Sequence, residues 1–302
     1  MHEINFSHEH ELDDHDFDGC CKDCQNTLAI IKPHIIEFAE KIKAYSLDRL
    51  KALSAQELYQ LYQILDDLAH MDAGPHLSGL LLEEKQIRDV LPTIRSYYTT
   101  FFSIHERHLA KELLESPDPW KQIKTFPLYP RYEALIKNQI EAMHISSEKR
   151  LAFLGSGPVP LSLILLNRFF GIPSVGIDSD AESVGISRQI IRCLGLEKKI
   201  EIVRGDDATL ADLNWDVVLV AALAEPKARI FSQLLNIMDD RGPSLVVFRT
   251  YTGMKAVLYK PVQPEDIKGF KIVKAVPPTG RVNNTTVFML PADDKSFKQK
   301  EL

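Results

Sequence analysis

Apolar positions along the chain change their spacing near residue 150. From Leu28 to about Leu114 they recur at helical intervals: Ile31, Ile35 and Phe38 fall on one face, and Leu58, Leu61, Leu65 and Leu68 repeat the pattern. Turn signals at Asp72-Ala73-Gly74-Pro75 and Ser116-Pro117-Asp118-Pro119 punctuate this region, and a further helix is expected from about Tyr129 to Ile145. Beyond it come short apolar runs at Leu151–Leu154, Val175–Asp178, Ile200–Val203, Val217–Val220 and Leu245–Phe248. Helix-like stretches such as Ala181–Leu194 and Lys227–Met238 separate most of them. Buried strands alternating with helices predict a parallel, doubly wound sheet. Lys271–Val276 and Thr285–Leu290 read as a closing antiparallel pair. The expected architecture is α/β, a Rossmann-like domain over 149–302 preceded by a helical domain over 27–148.

Residues 1–26 fit neither pattern. They hold eight acids against Lys22 alone and few large apolar groups, so they are expected to stay mobile. Removing them from the net charge of -6 leaves 34 acids and 35 bases, a body of +1. Such a balance argues against a nucleic-acid binder, which normally needs a concentrated basic face. No run approaches the ~20 apolar residues of a spanning helix. The N-terminus shows no secretory pattern, and four cysteines make no disulfide framework. A cytoplasmic protein away from membranes is expected.

The candidate chemistry sits at the ends of the predicted strands. Gly155-Ser156-Gly157-Pro158 follows the first, where glycine lets the backbone approach a ligand and Pro158 suits a first helical position. Asp178 ends the second, where an acid accepts hydrogen bonds from ribose hydroxyls. Asp206-Asp207-Ala208 follows the third, within reach of an adenine amino group, and Ala221 follows the fourth. In this order they point to a nucleotide or S-adenosylmethionine site. Pro160 in place of a third glycine favours S-adenosylmethionine over a dinucleotide. The alternative is a Rossmann-like domain whose glycine loop is only a tight turn.

FLGSGPVPLS at Phe153–Ser162 resembles the FVGSGPLPLT segment of nicotianamine synthases. WDVVLVAAL at Trp215–Leu223 is similar to that family's YDVVFLAAL, and FPLYPRY at Phe126–Tyr132 to its FPYYNNY. FRTYTGMKAVLY at Phe248–Tyr259, GFKIV at Gly269–Val273 and VNNTTV at Val282–Val287 continue the likeness over roughly residues 100–290. The resemblance implies a class I S-adenosylmethionine-dependent transferase fold. It implies transfer of the donor's 3-amino-3-carboxypropyl (aminobutyrate) group to an amine, with release of methylthioadenosine. Plant members repeat this transfer. Bacterial relatives make it once, on histidine, toward opine-type metallophores such as staphylopine and pseudopaline. Pro130-Arg131 stands where plants show two asparagines. Histidine is the favoured acceptor, with a downstream opine dehydrogenase as partner and a homodimer as a possible assembly; a nicotianamine synthase proper is the alternative.

The acceptor amine must lose a proton, so a base is needed beside the donor's sulfonium, and the helical domain is the natural lid to carry it. Glu106, in a segment similar to the family's LE-x-H helix, and Tyr132, the last tyrosine of its FPYY-like motif, are the catalytic candidates. Their alternatives are a solvated helix glutamate and a tyrosine packed under the lid. Tyr129 and Arg249 are weaker substrate-binding candidates, Arg249 as a carboxylate anchor or a structural ion pair. No metal is expected in the active site. His8, His10, His15, Cys20, Cys21 and Cys24 offer tail ligands, and Cys21-x-x-Cys24 has zinc-like spacing. A metal-handling protein without turnover is the reading from another class. Cys193 is expected in the core.

Overall fold

The computed structural model describes residues 22–143 and 147–292. Seven helices come first: α1 (Lys22–Lys43), α2 (Leu47–Lys51), α3 (Ala55–Ala69), α4 (Pro75–Glu83), α5 (Lys85–Glu115), α6 (Pro119–Thr125) and α7 (Tyr129–Met143). Their starts follow local chemistry. Ser54 and Glu57 form a reciprocal capping box on α3, and Asp118 caps α6 ahead of Pro119. Helix α1 begins at Lys22, inside the segment expected to be mobile. Leu28 and Ile31 are buried on it and Cys24 packs against their cluster, which accounts for the earlier start.

The strands follow as β1 (Leu151–Leu154), β2 (Ser174–Asp178), β3 (Ile200–Arg204), β4 (Val217–Val220), β5 (Leu245–Thr250), β6 (Phe270–Val276) and β7 (Thr285–Pro291). The sheet order is β3-β2-β1-β4-β5-β7-β6. The first five strands pair in parallel, and β7 runs antiparallel between β5 and β6. Helices α8 (Leu161–Phe170), α9 (Ala181–Cys193) and α10 (Lys227–Arg241) supply crossovers. This is the class I S-adenosylmethionine-dependent transferase fold, as expected. Helix α8 starts at Leu161 with Pro160 in the cap position, so Pro158 belongs to the loop rather than to the first turn.

Alternate residues of the sheet serve different cores. Ala152 and Leu154 face Ile230, Phe231 and Leu234 of α10. Leu151 and Phe153 join a cluster that runs without a break into the helical region. Near that junction the rings of Tyr62 and Phe101 stack 4.1 Å apart, and His105 stacks on Phe101 at 4.9 Å. Cys193 is exposed at the end of α9, because the helix turns Ile190 and Ile191 inward and leaves position 193 outside. Phe101→Ala is expected to lower the unfolding free energy by ~3–5 kcal/mol, the scale for an emptied aromatic site. Denaturant unfolding measures it; a loss under ~1 kcal/mol would show that α5 does not depend on this stack.

Candidate active site

A cavity of about 720 Å³ opens above the carboxyl ends of the parallel strands and beneath α5 and α7. Such a crevice is where open α/β sheets bind ligands. Gly155, Ser156, Gly157, Pro158, Asp178, Asp206, Asp207, Ala221, Glu106, Tyr132 and Arg249 all line it. Ala208 does not: Asp206 accepts its backbone N–H at 3.1 Å and turns it into a short 3-10 helix. Tyr129 is also outside the lining; it opens α7, where Glu133, Lys137 and Arg168 are its charged neighbours.

The glycine loop is fixed from two sides. Gly155 and Gly157 have φ of 81° and 70°, conformations that favour glycine. A Cβ on Gly155 would meet Ala224 Cβ at 3.0 Å, and one on Gly157 would stand 3.1 Å from Glu106 Oε2. The loop thus touches both the α/β wall and the candidate base. Asp178 Oδ2 accepts the Gly157 N–H at 2.8 Å, and its Oδ1 accepts the Asp180 N–H at 3.0 Å. Each oxygen keeps a further lone pair for a ligand hydroxyl. Asp207 is 4% exposed and pairs with Arg229 at 2.5 Å.

Glu106 carries the clearest electrostatic signature. Burial, and then the negative charge of Asp178, push its carboxyl up to about 8, while the phenol of Tyr132 works in the opposite direction. A carboxyl so raised is a strong base once ionised and titrates near neutrality. Burial, and then Glu106, raise the Tyr132 phenol, so it stays protonated as a hydrogen-bond donor; Arg249 opposes this. Arg249 is 5% exposed and donates to Ser162 Oγ at 2.9 Å and Gln139 Oε1 at 3.1 Å. Its guanidinium is drawn down to about 10 by burial, and among the described residues it has no acid partner.

Two features escaped the sequence. Lys227 is 4% exposed; its Nζ donates to the carbonyls of Ala221 at 3.2 Å, Ala222 at 3.0 Å and Ala224, pinning one cavity wall. In the sequence it reads as an ordinary lysine opening a helix. The other is a buried polar set of Tyr62, Asp66, Arg131 and Asn283, brought together from α3, α7 and the β6–β7 connection. Among the described residues no cluster of three or more His, Cys, Asp or Glu could hold a metal. His8, His10, His15, Cys20 and Cys21 lie outside the described residues, and Cys24 is half-buried on α1.

Comparison with known proteins gives the family and the fold. The family model described as "Nicotianamine synthase protein" matches residues 24–293. L-histidine 2-aminobutanoyltransferase of Pseudomonas aeruginosa is 29% identical over 169 residues, 55% of this chain and 61% of that protein. Nicotianamine synthase 1 of Arabidopsis thaliana is 27% identical over 280 residues, 87% of this chain and 84% of its own. The crystal structure of MtNAS in complex with MTA and tNA superposes with a TM-score of 0.80 at 30% identity, covering 90% of this chain and 99% of the other. A glutamate-to-glutamine mutant of MtNAS, in complex with S-adenosylmethionine, superposes with a TM-score of 0.77 at 31% identity, covering 85% and 97%.

The raised Glu106 carboxyl has a consequence for stability. Unfolded, this group would release its proton near 4.5; folded, it holds it to about 8. The native state therefore binds the extra proton, and ionising it costs stability as pH rises through that window. Glu106→Gln is expected to be more stable than the parent protein, by an amount that grows from about pH 5 to about pH 8 and then levels off. Thermal melts of both proteins across pH check this; parallel curves would contradict it.

Proposed function

The chain belongs to the nicotianamine synthase family, and from that membership and the cavity's geometry we propose that it transfers the aminobutyrate group of S-adenosylmethionine to the amine of histidine. The observation that carries the reading is the Glu106 carboxyl, raised to about 8 and held against the glycine loop. A simple methyl transfer to a neutral acceptor has no need of so strong a base at this place. An ammonium acceptor does.

In this reading Gly155–Pro158 and Asp178 hold the donor, with Asp206 and Ala221 on its adenosyl side. The donor supplies a methylene carbon bonded to a sulfonium, with a neutral thioether as leaving group. Glu106 takes the proton from the attacking amine as the nitrogen–carbon bond forms. The carbon–sulfur bond breaks with its electron pair on sulfur, and methylthioadenosine leaves. The arriving positive charges favour the ionised carboxylate and so prepare Glu106 as they bind. Tyr132 orients the amine or the carboxylate beside it. Arg249 anchors a carboxylate, which would compensate its buried charge.

Histidine is supported by the name of the Pseudomonas aeruginosa relative, whose alignment spans 61% of that protein. Repeated transfer, as in a nicotianamine synthase proper, is the second reading, and it is favoured by the longer alignment to the Arabidopsis protein. The single-transfer product carries a secondary amine, a primary amine and two carboxylates, the kind of amine that an opine-type dehydrogenase condenses with a keto acid. Among the described residues no helix is long and apolar enough to cross a membrane.

Incubation with S-adenosylmethionine and a panel of amino acids, followed by chromatography and product masses, tests the reading. Methylthioadenosine and a histidine adduct are expected; S-adenosylhomocysteine would instead make the protein a methyltransferase. Glu106→Gln should lower kcat by about 10²-fold or more while donor affinity changes little, and higher pH should restore part of the loss. Near-parental kcat in that variant would place the base elsewhere. Asp178→Ala should chiefly weaken donor binding, since a ribose contact exists in ground and transition states alike; calorimetry of S-adenosylmethionine binding reads this directly.

A further inference from the structure

Strand β4 ends in a turn, 221–225, every residue of which lines the cavity. Its backbone is folded around one side chain. Lys227 Nζ donates to the carbonyls of Ala221 and Ala222, at 3.2 and 3.0 Å, and to that of Ala224. Lys227 is the first residue of α10, so its side chain springs from the positive end of a helix dipole, and it is 4% exposed. Both placements disfavour a cation. Departures of this kind from local rules concentrate where a protein functions. The turn in its path touches the glycine loop. Ala221 N–H donates to the Leu154 carbonyl at 3.0 Å, and a Cβ on Gly155 would meet those of Ala224 and Ala221 at 3.0 and 3.2 Å. Any movement of these alanines therefore reaches Gly155.

Three carbonyls match an ammonium and not an amine. The charged group has one hydrogen for each acceptor, whereas the neutral group has one fewer and turns a lone pair toward the remaining carbonyl. Loss of the proton leaves a buried acceptor unmatched, and the turn must rearrange to relieve it. Glu225 Oε1 lies 3.8 Å from Nζ. That carboxylate also accepts from the Lys227 N–H at 3.1 Å and the Tyr259 hydroxyl at 3.3 Å, and pairs with Lys260 at 3.4 Å. The Tyr259 phenol is pushed up to about 12 by burial and then Glu225, so it stays protonated. Burial draws the Lys227 ammonium down to about 8; Glu225 and then Asp266, in Pro264–Ile267, oppose this, and Lys260 adds to it.

We propose that Lys227 is a positioning residue for the donor: its ammonium, by gathering the carbonyls of Ala221, Ala222 and Ala224, keeps the turn seated against Gly155 and the adenosyl side of the cavity in its binding shape. Donor affinity then depends on a proton held behind the wall, at a group that does not itself line the cavity. The inference rests on the reading of Gly155–Pro158 and Asp178 as the donor site and is independent of the acceptor.

Methylthioadenosine is the probe, because it carries the donor's adenosyl part and no group that ionises near neutrality. Its binding is measured by calorimetry on the full chain carrying Glu106→Gln, which removes the carboxyl that titrates in the same range, with and without Lys227→Met. In Glu106→Gln the affinity should weaken about fivefold as pH rises from about 7 to about 9.5, with a midpoint near 8. Just above that midpoint binding should take up a proton, which buffers of different ionisation enthalpy reveal. Adding Lys227→Met, which keeps the length of the side chain but not its charge, should weaken binding about fivefold or more at neutral pH and abolish both the pH dependence and the proton uptake. A pH-independent affinity in Glu106→Gln overturns the proposal without the second substitution. So does a folded double variant that keeps the pH dependence. If methylthioadenosine does not bind at any pH, the donor-site reading itself fails; if it binds without proton linkage, only the role of Lys227 fails.

Discussion

The contact between one helix carboxyl and one glycine is the constraint from which the rest of the site follows. Glu106 reaches from the long helix α5 to the loop after β1, so close that a Cβ at position 157 would stand 3.1 Å from its oxygen. The helical layer must therefore sit at one height above the sheet. The unbroken apolar cluster from Phe101 and Ile104 to Phe153 and Leu163 holds it there. Close packing makes such a position stiff, and stiffness is what the proposed role of Glu106 as proton acceptor requires.

Placing a carboxyl in that gap has an electrostatic cost that the fold accepts. Asp178 is near enough to raise it further, yet Asp178 cannot be dispensed with, since it accepts the Gly157 N–H and aligns the loop. Opposite charge lies deeper. Among the described residues Arg249, on β5, donates only to neutral Ser162 and Gln139. An acid beside the glycine loop and an uncompensated cation on the floor give the cavity a direction, and the proposed transfer would set ammonium and sulfonium toward one side and carboxylate toward the other. In the empty protein the Arg249 charge is poorly solvated and the Glu106 carboxyl is held protonated, and cationic and anionic ligand groups would match both, which is how a site gains preorganisation at the expense of stability.

Most of the architecture was legible in the sequence because its signals are local. β1 and β4 are buried along their whole length, so each reads as an unbroken apolar stretch, and the change from helical spacing marks where the sheet begins. The glycine loop and Asp178 lie at predictable strand ends, and the motif around Glu106 carried its resemblance. What could not be read depends on partners distant in sequence. Tyr129 and Tyr132 are separated by less than one helical turn, yet only the latter faces the cavity. The start of α1 at Lys22 is set by apolar residues further along the helix that pack on α5, not by the polar composition around it. Lys227 looks like a surface lysine until three carbonyls converge on it. Asp66 and Arg131, sixty-five positions apart, show no sequence relation to Asn283.

The protonation of Glu106 is the quantity on which the account turns, and it can be observed without turnover. Difference infrared spectra of the ligand-free protein against Glu106→Gln, recorded across pH, isolate that one carboxyl. A protonated carboxyl band at neutral pH that vanishes with a midpoint near 8, and at lower pH once S-adenosylmethionine is added, is the predicted result. A carboxylate already ionised at about pH 5 would contradict it.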